Sequence, residues 1–288
     1  MRKRLRKSLS RVLSSEDLGK VYSSYDIIGK IAIIKSSCAS LANTQNAAKA
    51  IMAIQKNVKT VLVQESPVAG DFRLRRLTHV AGEHKTSTTH KESGCAFSVD
   101  VEKCYFSPRL SHERSRIAGI VKPKETVVNM FAGVGCFSIM IAKQVNMSKV
   151  FSIDVNPAAI QFMRENIRLN RVYDKVTPLL GDSKEIISNR LQRVADRVLM
   201  PLPEKAFEYL PYAVSALKAS GGWIHYYDFE HAKKTENPTE KTRLKVAQKL
   251  ASLNVNFELP YSRVVRTTGP NWYQVVLDIH ATPVTDKS

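Results

Sequence analysis

A regular alternation of strand-like and helix-like segments, from about residue 125 onward, limits the fold more than any other feature of the sequence. β-Branched and apolar runs such as "TVVNM", "KVFSID" and "DRVLMPL" alternate with helix-periodic segments such as "PAAIQFMRENIRLN" and "TEKTRLKVAQKLAS". This alternation is typical of a largely parallel sheet with helices on both faces. The segments "FELPYSRVVRTT" and "NWYQVVLDIHA" predict an antiparallel closing pair of strands. We therefore predict an α/β, Rossmann-like domain over residues 121–288.

The first 120 residues follow a different pattern. The segment "YDIIGKIAIIK" is interpreted as one strand, "LANTQNAAKAIMAIQKN" as a helix, and short strands are predicted from "TVLVQ" to "AFSVDV". This order predicts a small α+β domain over residues 21–120 that supports RNA binding and catalysis. The basic stretch over residues 1–20 predicts an N-terminal arm or amphipathic helix. Within the larger domain, the helix over residues 204–220 is expected to be broken or kinked at Pro211, since proline removes a helical hydrogen bond.

Two glycines, Gly133 and Gly135, lie where the first strand of the larger domain ends and the next helix begins. A tight turn at this point presents the first N–H groups of the helix to a ligand, although the turn alone is equally consistent with no ligand. Asp154 ends the next strand, where its carboxylate can bind both ribose hydroxyls of an adenosine-containing ligand. Asp182 follows the third strand, where it can accept from the adenine amino group. With neither a P-loop nor a full G-x-G-x-x-G, the pattern suits S-adenosylmethionine (SAM) better than NAD or ATP.

The charge of the chain points to a polyanionic partner. Lys and Arg number 44 against 26 Asp and Glu, which gives a formal net charge of +18. RNA or DNA is the favoured partner, and a well-solvated surface is the alternative. No apolar run approaches the roughly 20 residues of a membrane span, so no membrane association is expected. The four cysteines form no C-x-x-C pair, so we expect no zinc site, no disulfide frame and a cytoplasmic location.

Three segments, "MFAGVGCFSI", "IDVNPAAIQFMRENIRLN" and "GDSKEI", resemble the SAM-binding motifs of archaeal and eukaryotic tRNA (guanine-37-N1)-methyltransferases. The resemblance covers roughly residues 20 to 282 and is most specific at "YFSPRL-x-x-ER". It implies SAM as the cofactor and the tRNA anticodon loop, at position 37, as the substrate. The cofactor-binding residues expected from the motifs are Phe131, Gly133, Gly135, Asp154, Asn156, Asp182 and Pro201.

The chemistry of the reaction calls for a base and a positive charge. Guanine N1 carries a proton at neutral pH, so the enzyme must remove it and stabilise the charge that spreads to O6. The stretch "SPRLSHER" offers Glu113 between Arg109 and Arg114, although residues alone favour an exposed, ion-paired helix start. The resemblance implies that Glu113 is the general base, with Arg109 in the same catalytic motif.

The resemblance assigns two further residues to the reaction centre. It implies that Arg73 of "GDFRLR" stabilises the charge on O6, and that Tyr105 of "CYFSPR" borders the reacting base. The alternative for Tyr105 is a core tyrosine. His112 is interpreted as a surface residue, because adjacent helix residues point in different directions.

The chain departs from the family pattern in two places. Pro201 of "MPLPEKA" stands where the family has an asparagine whose amide holds the target base, and Glu204 is a candidate replacement. Proline offers no N–H and no side-chain hydrogen bond, so a tricyclic wyosine-type base at position 37 becomes an alternative or additional substrate. Family members also carry an extra small domain before the matched region. We expect the arm "MRKRLRK" either to replace some of its phosphate contacts or to be a solvated tail.

Two other functions compete with this prediction. One is a non-catalytic RNA-binding protein, which would be expected to lose the base or the ribose-binding carboxylate. The other is transfer of an aminocarboxypropyl group in place of methyl, which needs the same ribose contacts. Glu113, Arg73 and Asp154 are all present and favour an enzyme, which we expect to be a monomer.

Overall fold

The computed structural model describes residues 21–36, 41–146 and 148–283. The arm predicted for residues 1–20 lies outside the described residues. The chain divides into two compact units, Met1–His112 and Glu113–Ser288.

The first unit is a small α+β structure whose elements follow one another closely. They are β1 (Val21–Ile28), β2 (Ile31–Ser36), α1 (Leu41–Ile54), β3 (Thr60–Gln64), β4 (Leu77–Gly82), β5 (Ser87–Glu92), β6 (Cys95–Asp100) and a 3-10 turn (Pro108–Leu110). Strands β1 to β4 form one sheet in sequence order, with β2 and β3 parallel and the two outer pairings antiparallel. Strands β5 and β6 form a separate antiparallel pair.

The single strand predicted for "YDIIGKIAIIK" is wrong, because the segment is a hairpin. Ile28 of β1 pairs with Ile31 of β2, so Gly29 and Lys30 form a two-residue turn. Gly29 has a φ of +55°, a left-handed conformation that a glycine adopts without steric cost. The apolar residues continue through the turn, which is why their pattern resembles one long strand.

The second unit begins within α2 (Ser111–Ile120) and then alternates strands with helices. Its elements are β7 (Thr126–Asn129), α3 (Cys136–Gln144), β8 (Lys149–Asp154), α4 (Pro157–Leu169), β9 (Val176–Leu180), α5 (Ser183–Arg190), β10 (Arg197–Met200), α6 (Pro203–Ala216), β11 (Gly222–His231), α7 (Pro238–Ser252), β12 (Val255–Gly269) and β13 (Trp272–Pro283).

These strands form one Rossmann-like sheet in the order β12-β13-β11-β10-β7-β8-β9. Strands β9, β8, β7, β10 and β11 are parallel to one another, and β13 is antiparallel to both of its neighbours, β11 and β12. The predicted antiparallel closing pair is therefore confirmed as β12 and β13. The strand order reverses beside β7, and ligands of open α/β sheets bind outside the carboxyl ends of the strands at such a point. The glycine turn follows β7, so the fold places it there.

Helix α6 contains Pro211 but is not broken by it. The helix runs without interruption from Pro203 to Ala216. Its buried residues on both sides of the proline, among them Leu210 and Ala213, belong to the core of the second unit. This packing holds the helix together across the missing hydrogen bond, so the predicted break is wrong, whereas the alternative of a kink stays a prediction.

Candidate active site

The glycine turn after β7 is tied to the carboxylate that ends β8. The backbone N–H of Gly133 donates to Asp154 Oδ2 at 2.6 Å, and the N–H of Asn156 donates to Oδ1 at 2.9 Å. Burial raises the pKa of Asp154, and the two backbone hydrogen bonds offset only part of that rise. Each carboxylate oxygen has a second lone pair, so Asp154 can still accept from a ligand hydroxyl.

At Gly135, the turn makes room for side chains of the protein itself. Gly135 precedes the first residue of α3 with a φ of +92°. A Cβ atom at this position would lie 2.8 Å from Cγ of Met163 and 3.0 Å from Cδ1 of Ile139. The space at Gly135 is therefore filled by the protein, because α4 packs directly against the start of α3.

The other predicted cofactor residues near β8 and β9 also have structural contacts. Asn156 and Asp182 are N-caps: their side chains accept from the backbone N–H groups of Ala158 and Lys184. Asp182 Oδ2 also accepts from the hydroxyl of Tyr209 at 2.7 Å. Tyr209 was not predicted, since it lies on α6 and its pattern resembles an ordinary core residue.

Apolar side chains surround these carboxylates. The ring of Phe131 contacts the Tyr209 ring edge-on, with centroids 5.3 Å apart. Val155 and Leu180, at the carboxyl ends of β8 and β9, are 36% and 52% exposed. Exposed apolar residues beside half-buried carboxylates suit a ligand with a flat ring and a ribose, so the site fits a nucleoside. Pro201 follows β10 and is half-buried.

Glu113 lies at the start of α2, is 1% exposed and is fully engaged by hydrogen bonds. Its oxygens accept from Arg116 Nε at 3.0 Å, Arg116 Nη2 at 2.7 Å and Tyr227 Oη at 2.8 Å. Arg263, on β12, binds the other carboxylate oxygen. Of the exposed, ion-paired helix start expected from residues alone, the exposure is therefore wrong and the ion pairing is confirmed. Glu113 is a buried carboxylate whose charge is balanced by two guanidinium groups.

Arg116 also belongs to a series of hydrogen-bonded polar groups, Arg116, Asp278, His225 and Arg197, which we call the buried row. Arg116 Nη1 donates to Asp278 Oδ2 at 2.6 Å, and Asp278 Oδ1 lies 2.6 Å from Nδ1 of His225. His225 Nε2 lies 2.6 Å from Arg197, which is also paired with Glu125. A guanidinium can only donate, so Nε2 accepts and Nδ1 carries the hydrogen that points at Asp278. This assigns a neutral ring to His225.

The pKa values of this row follow from burial and pairing. Burial of Asp278 would raise its pKa, but the hydrogen bonds from His225 and Arg116 outweigh burial and lower the pKa to about 2. Burial lowers the pKa of His225, and its hydrogen bond to Asp278 offsets only part of that change. Burial also raises the pKa of Tyr227, so its hydroxyl keeps its proton and donates a hydrogen bond to Glu113.

The remaining predicted catalytic residues form a basic cluster in the first unit. The guanidinium of Arg73 lies 4.2 Å from the ring centroid of Tyr105. Arg109 Nε donates to Asp26 at 2.6 Å, which makes Asp26 its ion-pair partner. Arg75, which the sequence did not single out, has its pKa lowered by burial, partly offset by the charge of Asp26.

Arg73 has an unusual backbone. Its φ is +53°, in the left-handed region that residues other than glycine seldom adopt. Its N–H donates to the carbonyl of Gly70 at 3.0 Å, which closes a turn between β3 and β4. Six other non-glycine residues of the described chain share this region, so the conformation shapes the turn and does not by itself assign a role to Arg73.

The predicted residues therefore occupy three places. Gly133, Asp154 and Asn156 are joined by hydrogen bonds at the carboxyl ends of β7 and β8, with Phe131 and Asp182 linked through Tyr209. Glu113 lies in its own buried cluster. Arg73, Tyr105 and Arg109 belong to the first unit, and His112 is exposed, as expected.

Sequence reasoning missed the partners of Glu113. Arg116 follows Glu113 by three residues on the same helix, a spacing that brings side chains together and could have identified it. Tyr227 and Arg263 lie 114 and 150 residues later in the chain, and no local signal connects them to Glu113.

Two kinds of feature are absent from the described part of the chain. No three His, Cys, Asp or Glu residues among residues 21–36, 41–146 and 148–283 are grouped so that they could hold a metal ion. No helix within these same residues is both long enough and apolar enough to span a membrane.

Comparison with known proteins identifies the family. A sequence profile described as the TRM5/TYW2 methyltransferase domain matches residues 88–256. The chain belongs to the TRM5/TYW2 methyltransferase family. A second profile, described as the TYW2 N-terminal domain, matches residues 5–86.

Three TRM5/TYW2 relatives illustrate the range of the family. The chain is 41% identical to the tRNA (guanine(37)-N(1))-methyltransferase Trm5b of Pyrococcus abyssi, over 88% of this chain and 74% of that protein. It is 34% identical to the tRNA 4-demethylwyosine(37)-methyltransferase Taw21 of Saccharolobus solfataricus, over 92% of this chain and 97% of that protein. A structure of Methanocaldococcus jannaschii Trm5 in complex with adenosine superposes with a TM-score of 0.77 at 31% identity. The superposition covers 97% of this chain and 78% of that chain.

Proposed function

We propose that this chain is a SAM-dependent tRNA methyltransferase that forms N1-methylguanosine at position 37 of tRNA. The observation that carries the proposal is the buried Glu113 carboxylate, in a Rossmann-like unit that also has a nucleoside-type site at Asp154. The identity of 41% to a tRNA (guanine(37)-N(1))-methyltransferase supports the substrate and the reaction. The net charge of +18 suits a polyanionic substrate of this size.

The cofactor is proposed to bind at the carboxyl ends of β7, β8 and β9. Asp154 accepts from the ribose hydroxyls while Gly133 and Asn156 hold its carboxylate in place. Phe131 and Asp182 line the same edge. When bound, SAM supplies an activated methyl group.

Glu113 is proposed to take the proton from guanine N1. Tyr227 is buried and Arg116 is 15% exposed, whereas the Arg263 side chain is 33% exposed. Arg263 is therefore the partner that an incoming base can displace from Glu113. Tyr227 and Arg116 keep the carboxylate in position throughout, because both are held by the packing around them.

A positive charge is needed where electron density accumulates on O6. The resemblance assigns this role to Arg73, with Tyr105 stacked on its guanidinium. Arg109 follows Tyr105 by four residues in the same motif. Arg263 is a second candidate, because it already binds the carboxylate proposed as the base.

A second candidate substrate is 4-demethylwyosine, a tricyclic guanine derivative, at the same position. Pro201 stands where the family has an asparagine, and Pro201 cannot donate a hydrogen bond to the base. The chain is also 34% identical to a methyltransferase of this tricyclic base, over 97% of that protein. We propose further that the chain acts as a cytoplasmic monomer.

The proposal is tested with purified protein, SAM and two tRNA substrates, one with guanine and one with 4-demethylwyosine at position 37. Nucleoside mass spectrometry then identifies the product. We expect the guanosine at position 37 to gain one methyl group. Gain of an aminocarboxypropyl group, or no product from either tRNA, would contradict the proposal. A product from the tricyclic base alone would establish the second candidate instead.

A further inference from the structure

A basic groove lies in the first unit, around the amino end of β3. It encloses about 460 Å³ and is formed by the β1–β2 turn, the segment before β3, the segment after β4, and β5 with β6. Most of its lining residues are lysines or carry hydroxyl groups. The residues are Lys30, Ile31, Lys59, Thr60, Glu83, Lys85, Ser87, Thr88, Thr89, Lys91 and Ser98. We call this the lysine groove.

The lysine groove is strongly positive. Lys30, Lys59, Lys85 and Lys91 are all exposed, and Glu83 is the one acidic residue among the lining residues. None of the four lysines is in an ion pair within residues 21–36, 41–146 and 148–283. Their charge is therefore available to an anion from outside the protein.

The floor of the groove is fixed by the backbone. Lys30 donates its N–H to Thr88 Oγ1 at 3.0 Å, and its carbonyl accepts from the N–H of Lys59 at 2.8 Å. The N–H of Glu83 donates in turn to the carbonyl of Lys59 at 2.8 Å. A Cβ atom on Gly29 would lie 2.4 Å from Thr88 Oγ1, so the turn is pressed against β5. The backbone from which the lysine side chains extend is thus held in place by hydrogen bonds.

The composition of the groove indicates which part of a nucleic acid it can bind. Ile31 is its one apolar lining residue, and no aromatic side chain lines it. Stacking of unpaired bases needs aromatic side chains, whereas phosphates are bound by lysines, hydroxyls and backbone N–H groups. The groove therefore suits a phosphodiester backbone and not an exposed base.

Its position separates it from the predicted catalytic arginine of the same unit. The groove includes Thr60, the first residue of β3, whereas the turn that carries Arg73 follows Gln64, the last residue of β3. Four strand steps separate the two ends, roughly 13 Å at the usual rise. The groove and the turn that carries Arg73 therefore lie toward opposite ends of β3.

We propose that the lysine groove binds the phosphate backbone of the substrate RNA at a distance from the target base. This proposal rests on the proposed function, since it assumes that the polyanion is the tRNA. The groove adds affinity and orientation without reading sequence, and it takes no part in the chemical step.

The test compares two double variants of equal charge change. Lys85→Ala with Lys91→Ala removes two groove lysines, and Lys49→Ala with Lys56→Ala removes two exposed lysines of the same unit that do not line the groove. Filter binding to tRNA is measured between about 50 and 200 mM salt. We expect the groove variant to bind at least tenfold more weakly, with a salt slope lower by about 0.7–0.9 for each phosphate that is no longer bound. The control variant should bind like the parent.

A third variant tests the sign of the effect. Glu83→Gln removes the acidic lining residue, so tRNA affinity should rise severalfold. If the groove double variant and the control double variant have the same affinity and salt slope, the groove proposal is wrong. Failure of the proposed function is distinguishable, because it appears as no methyl transfer by the parent protein. Under the proposal, the groove variant transfers methyl at the parent rate once tRNA is saturating.

Discussion

The guanidinium of Arg116 makes a two-pronged ion pair with the carboxylate of Asp278, a residue 162 positions later in the chain. The N–O distances are 2.6 and 3.1 Å, and both side chains are largely buried. Arg116 also binds Glu113, so the ion pair fixes the arginine that orients the proposed base. A paired, planar contact of this kind defines geometry as well as charge.

Replacing Asp278 by asparagine should destabilise the second unit, because Arg116 would keep a buried charge without its main partner. Loss of one member of a buried ion pair costs about 3 kcal/mol or more. Both tryptophans of the chain, Trp223 and Trp272, lie in the second unit, so the urea transition followed by tryptophan fluorescence measures it selectively. Asp174→Asn, at an exposed aspartate, is the matched control. Equal midpoints for the two variants would contradict the role given to this pair.

The buried row predicts acid sensitivity in two steps. The pKa of folded His225 is below its ordinary value of 6.5, so the unfolded chain takes up a proton first, and stability falls as the pH drops below about 6.5. The pKa of folded Asp278 is about 2, below the ordinary 3.8, so a further loss occurs between about pH 4 and 2. In the first step, the free energy of unfolding falls by at most about 1.4 kcal/mol per pH unit. Glutamine does not titrate, so in His225→Gln the free energy of unfolding should depend less on pH between about 6.5 and 5. An unchanged slope in this variant would show that His225 is not the titrating group.

Glu113→Gln should slow single-turnover methyl transfer by about 10²–10⁴-fold, since a positioned base typically contributes that much. SAM affinity should barely change, because Glu113 lies outside the Asp154 site. Glu165→Gln, at an exposed glutamate of α4, is the matched control. A tRNA with adenine at position 37 provides a substrate control, since its N1 has no proton to remove. Methylation of guanine-37 tRNA by Glu113→Gln at the parent rate would rule out the general-base role.

The two candidate arginines for O6 can be separated by substitution. Arg73→Ala should lower the transfer rate at saturating SAM and tRNA, because the charge on O6 would lose its partner. Arg263→Ala should also lower the rate if Arg263 meets O6 after it leaves Glu113. It should raise the rate, or leave it unchanged, if Arg263 only blocks the carboxylate. Single-turnover rates of the two variants therefore decide between the roles, and a parent rate for Arg73→Ala would remove Arg73 from the mechanism.

Asp154→Ala should weaken SAM binding at least tenfold in calorimetry. Two ribose hydrogen bonds to a charged group contribute about 1.5–3 kcal/mol each, and the turn also loses the acceptor of Gly133. Asp174→Ala, which removes an exposed carboxylate, should bind SAM like the parent. An unchanged dissociation constant for Asp154→Ala would move the cofactor site elsewhere.

The order of elements in the second unit was predictable because it depends on local pattern. Strand and helix periods, the glycine turn and the N-cap residues Asn156 and Asp182 act over a few positions and can be identified directly in the sequence. The β1–β2 hairpin was missed because apolar residues on both sides of Gly29 continue the strand pattern through the turn. A break at Pro211, one of the two alternatives predicted there, was wrong because core packing outweighed a local preference.

By itself, the sequence determined the alternating architecture, the positions of a glycine turn and of Asp154 at strand ends, and the presence of an acid–arginine motif at Glu113. Only the tertiary structure decided that Glu113 is buried and that its partners include Tyr227 and Arg263, which lie 114 and 150 residues away. It also decided that the space at Gly135 is taken by Met163. Local periodicity and turn chemistry are properties of neighbouring residues. The partners of a buried charge depend on which strands the sheet brings together, and a local sequence pattern does not predict this.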